Sequence, residues 1–329
     1  MQISITDAEL FLSSIFQENG VDTAASLSVA HALVQAEAAG QAGHGLRRVP
    51  AYVKQVRSGK VDGRAIPCPS RPKPGILAID AACGFAYPAL DLAITKLPQM
   101  VREQGIALAA INRSHHAGVM ALTVERFAEQ GLVAMMFANA PAAIAPWGGK
   151  TPLYGTNPIA FAVPVADADP VVIDLALSKV ARGKVMAANQ KGISIPEDWA
   201  FDGDGNPTTN AAEALKGTMA PAGGPKGAAL ALMVEVLAAG LTGANFSYQA
   251  SSLFDEHGPA PGLGQMIIAI DPDVACGGSA ERMAALATEI AREEGVRLPG
   301  RRGRGLRQEA LQHGLTIEDE VIQAIDALR

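Results

Sequence analysis

The stretch Ile106-Ala107-Leu108-Ala109-Ala110-Ile111-Asn112-Arg113-Ser114-His115-His116-Ala117-Gly118 decides how this chain is read. An unbroken apolar run of this length is the pattern of a buried strand, and it leads directly into two histidines and a glycine. A helical pattern over 119–130 follows, so the histidines fall at the carboxyl end of a strand, where α/β sheets gather their ligands. Neighbouring residues in extended backbone point to opposite sides. One histidine of the pair therefore faces a cleft, and a metal held by both is not expected.

The same rhythm continues on either side. Apolar runs at 76–79, 132–138, 159–163, 171–173 and 265–270 alternate with helical patterns such as 88–103, the texture of an α/β domain. Ahead of it, helical spacing at 7–17 and 23–39 stops at Gly20 and Gly40, and Thr6 and Glu9 stand at capping-box distance. Pro50 suits the first turn of a helix over 51–57, which leaves His44 in a junction between helices. The Pro/Gly-rich stretch 67–75 marks a boundary. Helical patterns return at 280–294 and 317–328, joined by an arginine-rich loop. The predicted division is helical ends (1–70 and 279–329) around an α/β region (71–278). The apolar pattern over 227–241 reads as a buried helix, because it falls short of the roughly 20 residues that cross a bilayer.

With 329 residues, 49% of them hydrophobic, the chain has material for a large core. A formal charge of -6 and 5% aromatic residues argue against a nucleic acid or an anionic membrane as partner. Cys68, Cys83 and Cys276 have no CxxC spacing, so neither a disulfide framework nor a zinc site is expected. The amino terminus lacks the pattern of a signal peptide, and the predicted setting is the reducing cytoplasm.

Several segments carry groups suited to a small acid. His44 and Arg48 lie within reach of one ligand, as a proton donor and a planar clamp for a carboxylate, although a capped helix junction with a surface arginine uses the same residues. Loops after strands, 139–149, 155–158 and 174–184, repeat glycine and proline where ligands collect. Gly223-Gly224-Pro225-Lys226-Gly227 enters a helix and suits a phosphate or an ordinary turn. Residues 299–307 form a local basic run. There is no G-x-G-x-x-G after an early strand and no G-x-S-x-G elbow.

In this order the pieces resemble the malate/L-lactate dehydrogenase family that is unrelated to the Rossmann lactate dehydrogenases. The resemblance runs through His44-Gly45 with Arg48, Tyr52 and Gly59, Ser114 to Gly118, Pro146-Trp147-Gly148-Gly149, Gly155-Thr156-Asn157-Pro158, Asp174 to Ser178, Ile195-Pro196 with Trp199, Pro207-Thr208-Thr209, Lys226-Gly227 and Leu298-Pro299-Gly300. It implies a non-Rossmann α/β fold in which the two ends (1–70 with 279–329) form one mostly helical lobe that serves a homodimer, while 71–278 binds substrate and a nicotinamide cofactor, NADH or NADPH. It further implies that His44 and His116 are the active-site histidines, with Arg48 the carboxylate clamp and Thr156, Arg182 and Gly183 substrate contacts. Cofactor contacts follow at His116, Asn139, Asp174, Leu175, Ala176, Pro225, Lys226 and Gly300, with Arg301, Arg302 and Arg304 suiting the extra phosphate of NADPH.

Within the family, 40–46, 114–116 and 175–183 look most like the bacterial (R)-3-sulfolactate dehydrogenases, and Arg47, Lys179 and Arg182 are the cations offered to a sulfonate. Gly43 stands where the family commonly has serine, and Lys184 where imine reductases have an acid, which weighs against imine reduction. The expected activity is NAD(P)-dependent interconversion of a small 2-hydroxy acid and its 2-oxo acid, with sulfolactate favoured. The alternatives are reduction of a cyclic imine such as piperideine-2-carboxylate, malate or lactate oxidation, and, outside catalysis, small-anion binding.

Overall fold

Helix starts are set by side chains that satisfy free backbone N–H groups. In the computed structural model, which describes residues 2–329, β1 (Gln2–Ile3) leads to Ser4, whose Oγ accepts from Asp7 N at 3.1 Å and opens α1 (Ile5–Glu18). The capping box expected at Thr6 and Glu9 is not used: the helix has already begun, and Glu9 reaches across to His31 at 2.9 Å. Asp22 caps α2 (Thr23–Ala38) through Ala24 N at 2.9 Å. Two 3-10 turns, Ala42–His44 and Leu46–Arg48, lead into α3 (Val49–Arg57), with Pro50 in its first turn.

The α/β region follows as β2 (Cys68–Lys73), β3 (Ile76–Asp80), α4 (Ala86–Gln104), β4 (Ile106–Ser114), α5 (Met120–Ala128) and β5 (Val133–Ala138), close to the expected strands and helices. Next come β6 (Ile159–Val165), β7 (Ala168–Leu175), α6 (Arg182–Lys191), β8 (Ala200–Phe201), α7 (Ala211–Lys216), β9 (Thr218–Met219) and α8 (Pro225–Glu235), which widens into a π turn at Val236–Gly240. The chain ends with β10 (Leu263–Ile270), α9 (Ser279–Ile290), α10 (Arg301–His313), β11 (Leu315–Thr316) and α11 (Asp319–Asp326).

Seven strands form one sheet in the order β2-β3-β4-β10-β5-β6-β7. Only β3 and β4 run parallel; β10 slots between β4 and β5, antiparallel to both, with Ile267 opposite Ala109 and Met136. The two ends of the chain meet where β1 pairs with β11, which brings α10 against α2 and α11 against α3. Leu12, Phe16, Leu33, Leu97, Ile111 and Met136 belong to one continuous core that runs from these helices into the sheet. A second core beneath α6 to α8 contains Phe137, Ile144, Leu177, Val185 and Met266.

Two stretches differ from the sequence reading. The arginine-rich segment expected as a loop is helix α10, because Arg304 and Arg307 turn onto the buried Glu125 of α5, Arg304 at 2.7 Å, and draw the segment onto the core. The helix expected to be buried is buried on one side only: Ala228, Ala231 and Val234 face inward, whereas Leu230, Leu232, Met233 and Val236 are exposed. Among the described residues no helix is long and apolar enough to cross a membrane.

Glu235 ties two loops to this second core. Its carboxyl oxygens accept from Asn157 Nδ2 at 2.8 Å, Ser247 Oγ at 2.6 Å and Ser247 N at 2.5 Å, all out of contact with solvent. Removing one side of a buried network strands its donors at about 1–3 kcal/mol each. Glu235→Ala is therefore expected to lower stability by about 3 kcal/mol in urea titration and Glu235→Gln by less, since the amide keeps an acceptor oxygen.

Candidate active site

The 3-10 segment that carries His44 and Arg48 is pinned by Gly45. A Cβ there would lie 2.3 Å from the Glu37 carboxyl oxygen that accepts Leu46 N at 2.9 Å, so only glycine lets helix α2 and this segment approach so closely. On the other side, Arg113 takes a left-handed φ of 46° at the end of β4 and pairs with Asp80 at 2.7 Å. Ser114 still pairs with Leu263 and closes the strand, and Gly118, at φ 67°, turns the chain towards α5.

The two histidines then separate as extended backbone requires. His115 is buried and its Nε2 meets Gln55 Oε1 at 2.9 Å, while Gln55 Nε2 donates to Asp255 O at 3.0 Å. His116 faces the other way: its Nε2 is 3.2 Å from His44 Nδ1, with the rings stacked at 5.1 Å, and its Nδ1 is 2.7 Å from the Tyr52 hydroxyl. Tyr52 in turn meets the Tyr87 hydroxyl at 3.2 Å. Arg48 donates from Nε to Gly43 O at 2.8 Å, and its guanidinium lies over the Phe254 ring at 4.6 Å, a cation–π contact. Lys60 holds the Phe254 loop from beneath, donating to the carbonyls of Ser252, Asp255 and His257 at 2.6, 3.0 and 2.7 Å.

Burial, and behind it the charge of Arg48, pushes His44 down to about 4. The same causes hold His116 well below the ordinary imidazole value, and burial takes His115 to about 3. All three are neutral at neutral pH. A cation thus sits beside a hydrogen-bonded pair of neutral imidazoles, an arrangement with the chemistry to orient a carboxylate and to exchange a proton with a group next to it.

A family model described as malate/L-lactate dehydrogenase matches residues 3–326. The chain belongs to the malate/L-lactate dehydrogenase family. Its fold is the non-Rossmann α/β fold of that family, and it is an NAD(P)-dependent oxidoreductase acting on a small organic substrate. It is similar to (2R)-3-sulfolactate dehydrogenase (NADP+) of Chromohalobacter salexigens, 49% identical over 93% of this chain and 92% of that one. It is similar also to the Δ1-pyrroline-2-carboxylate/Δ1-piperideine-2-carboxylate reductase of Pseudomonas putida, 39% identical over 100% of this chain and 97% of that one. The solved Δ1-piperideine-2-carboxylate reductase of Pseudomonas syringae superimposes with a TM-score of 0.94 at 37% identity, covering 100% of both chains.

These findings correct the expected narrowing to the sulfolactate dehydrogenases. The C. salexigens protein and a solved structure from Methanocaldococcus jannaschii, 27% identical, bear that name, whereas six relatives beside the P. putida protein, 34% to 39% identical, are named for reduction of a cyclic imine carboxylate, as is the P. syringae structure. The cations offered to a sulfonate are also occupied: Arg47 by Glu318 at 2.6 Å, Lys179 by Asp198, and Arg182 by the Leu215 carbonyl at 3.0 Å.

In this family member His44, His116 and Arg48 come together, while Arg182 and Gly183 begin α6 over the second core, with no bond from Arg182 to the histidines among the described residues. Thr156 is half-buried, its carbonyl accepting Leu177 N at 2.8 Å. Asn139 is turned inward, with Nδ2 donating to Asn245 O at 2.8 Å and Oδ1 accepting Gly264 N at 2.9 Å. Asp174 accepts Ala121 N at 2.8 Å at the start of α5, and the crowding there pushes its carboxyl up to about 6 although one edge stays exposed. Arg304 is held in ion pairs with Glu125 and Asp169, the latter at 2.9 Å.

Sequence reasoning gave Tyr52 no role and overlooked Gln55, Lys60, Tyr87 and Phe254. A signal for the first two was present: Arg48, Tyr52 and Gln55 stand at i, i+4 and i+7, one face of a helix. Nothing local marks Tyr87 or Phe254, which arrive from other elements.

The lowered histidines have a consequence for stability. Between about pH 6.5 and 4 the unfolded chain protonates His44 while the folded chain does not, so stability is complete above about 6.5 and is lost as pH falls, by up to about 1.4 kcal/mol per pH unit for each such histidine. Asp174 acts in the opposite sense, one exposed-edge carboxyl against three histidines. Urea titrations are expected to give a lower midpoint at pH 5 than at pH 7, with the difference reduced in His115→Asn.

Proposed function

We propose that this enzyme reduces a small cyclic imine bearing a carboxylate on the imine carbon, a five- or six-membered ring of the pyrroline- or piperideine-2-carboxylate kind. The observation that carries the reading is the surroundings of Arg48: one clamp cation, backed by the apolar Phe254 ring, with no second free cation beside it among the described residues for another anionic group. That suits one carboxylate on an aliphatic ring. The likeness to the P. syringae reductase, over 100% of both chains, supports it. Lys184, which weighed against imine reduction, is exposed on α6, and among the described residues it has no contact with the histidine pair.

In this reading Arg48 holds the carboxylate, the ring lies against Phe254, and the His44–His116 pair supplies the proton to nitrogen. The cofactor groove follows the end of β7. Gly300 packs so closely on Val172 that a Cβ would lie 2.9 Å from it, and Ala222 N donates to Leu177 O at 2.8 Å. Residues 299–302, 172–177 and 222–226 are thereby gathered into one line beside Asp174 and α5, with Arg301, Arg302 and Lys226 exposed and without acidic partners among the described residues. That line fits an extended dinucleotide, with Leu175, Ala176, Pro225 and Gly300 as its backbone and apolar walls. Bound there, a reduced nicotinamide supplies the hydride. Arg301 and Arg302 favour NADPH over NADH.

We further infer a homodimer closed over the exposed face of α8, since Leu230, Met233 and Val236 form an apolar row continued by Phe246 and Tyr248. Met233→Lys is expected to shift the protein from dimer to monomer in size-exclusion chromatography with light scattering. The three free cysteines suit a reducing cytoplasm.

The decisive assay follows NADPH and NADH consumption with pyrroline- and piperideine-2-carboxylate, sulfopyruvate, oxaloacetate and pyruvate. The expected result is a kcat/KM for a cyclic imine at least about tenfold above every 2-oxo acid, roughly 1.4 kcal/mol of transition-state preference. Sulfopyruvate, the substrate class suggested by the 49% identical relative, overturns the reading if it is preferred. His44→Ala and Arg48→Ala are each expected to lower kcat/KM by about 10²-fold or more.

A further inference from the structure

A neutral imidazole carries a single N–H, and this fixes the direction of every bond behind His44. Nε2 of His44 has no partner among the described residues and is the atom left for a substrate. For Nε2 to donate, Nδ1 must accept, so His116 Nε2 donates to it across 3.2 Å. His116, its one proton now on Nε2, accepts at Nδ1 from the Tyr52 hydroxyl at 2.7 Å. The Tyr52 oxygen then receives the Tyr87 O–H at 3.2 Å.

Tyr87 does not end in sealed core. It forms part of the wall of a cavity of about 290 Å³ among α2, α4, α5 and α10, whose lining does not include Arg48, with Ser28, His31, Asp91, Glu125 and Glu129 also in its lining. Gly118 keeps space for the Tyr87 hydroxyl: a Cβ at that position would lie 2.7 Å from it. The four groups thus make one unbroken donor chain from the Arg48 site to Tyr87, a residue in the wall of a separate cavity that is lined by apolar and charged side chains together.

We propose that Tyr52 and Tyr87 form a proton relay that connects the His44–His116 pair to solvent in this cavity. The proposal rests on the reading that the pair supplies the proton in imine reduction. As the nitrogen takes the His44 Nε2 proton, the bond from His116 Nε2–H shifts its proton to His44 Nδ1, Tyr52 passes one to His116 Nδ1, Tyr87 passes one to Tyr52, and water in the cavity replaces that of Tyr87. One proton enters from the cavity, one leaves to substrate, and no relay group changes oxidation state. When product departs, solvent returns a proton to His44 Nε2 and the chain reverses. Concerted movement is required because burial keeps the imidazoles neutral and raises both tyrosines, Tyr87 well above its usual value, so no member stores a charge.

The test combines steady-state kinetics in H2O/D2O mixtures with 15N NMR of the histidine side chains, on wild type, Tyr87→Phe and Tyr52→Phe whose folding is checked by circular dichroism. The relay is expected to give the wild type a curved dependence of kcat on deuterium fraction. Tyr87→Phe is expected to lower kcat about tenfold, with KM changed less than about twofold, and to straighten that curve. Tyr52→Phe is expected to lower kcat further. Unchanged kcat in a folded Tyr87→Phe, or a straight line in wild type, overturns the relay. NMR is expected to find the His116 proton on Nε2, with the Nδ1 signal moving in Tyr52→Phe; a proton on Nδ1 overturns the relay's direction without any assay. If no substrate is turned over, the imine reading fails and the NMR result alone decides the relay.

Discussion

The hydrogen bond between His44 and His116 is the constraint on which the rest of the site depends. It joins residues 72 positions apart, one in the helical opening of the chain and one at the end of a sheet strand. Two neutral rings stacked at 5.1 Å form only if both supports are rigid. Gly45 sets one support by letting its segment press on Glu37, and the left-handed turn at Arg113 sets the other. Misplacing reacting groups by about 1 Å costs about 10² in rate, so these apparently remote features bear on the chemistry.

Burying three histidines, two tyrosines and a lysine around one arginine is expensive unless each polar group finds a partner. Most do. Gln55 spans His115 and the Asp255 carbonyl, and the fully buried Lys60 satisfies its ammonium on three carbonyls of the same loop. Both side chains therefore fasten the segment that places Phe254 on Arg48. The shape of the proposed site is in this way tied to the electrostatics beneath it, because one loop serves both.

Much of the fold was legible in the sequence because it rests on local pattern. The buried strand at 106–111, the helix stops at Gly20 and Gly40 and the proline of α3 each act within a few residues, and each element lies where that pattern put it. The placement of β10 between β4 and β5 was not legible, since it is decided by long-range pairing of one apolar run with two others. Helix α10 was hidden for a related reason: glycines and arginines read as a loop until Glu125 is known to lie opposite. At the site, residue chemistry exposed His44, His116 and Arg48. The tyrosines behind them were invisible, because a tyrosine on a helix face looks like core until its hydroxyl is seen to meet an imidazole. The exposed row on α8 had the opposite fault, an apolar pattern that says nothing of which side is covered.

The most direct measurement is the crystal structure of the enzyme with NADPH and a planar, unreducible aromatic ring carboxylate that mimics the cyclic imine. The account predicts the carboxylate on the Arg48 guanidinium, the ring against Phe254, and the ring nitrogen at hydrogen-bonding distance, about 2.7–3.2 Å, from His44 Nε2. A carboxylate bound elsewhere, with the ring nitrogen out of reach of both His44 and His116, contradicts it.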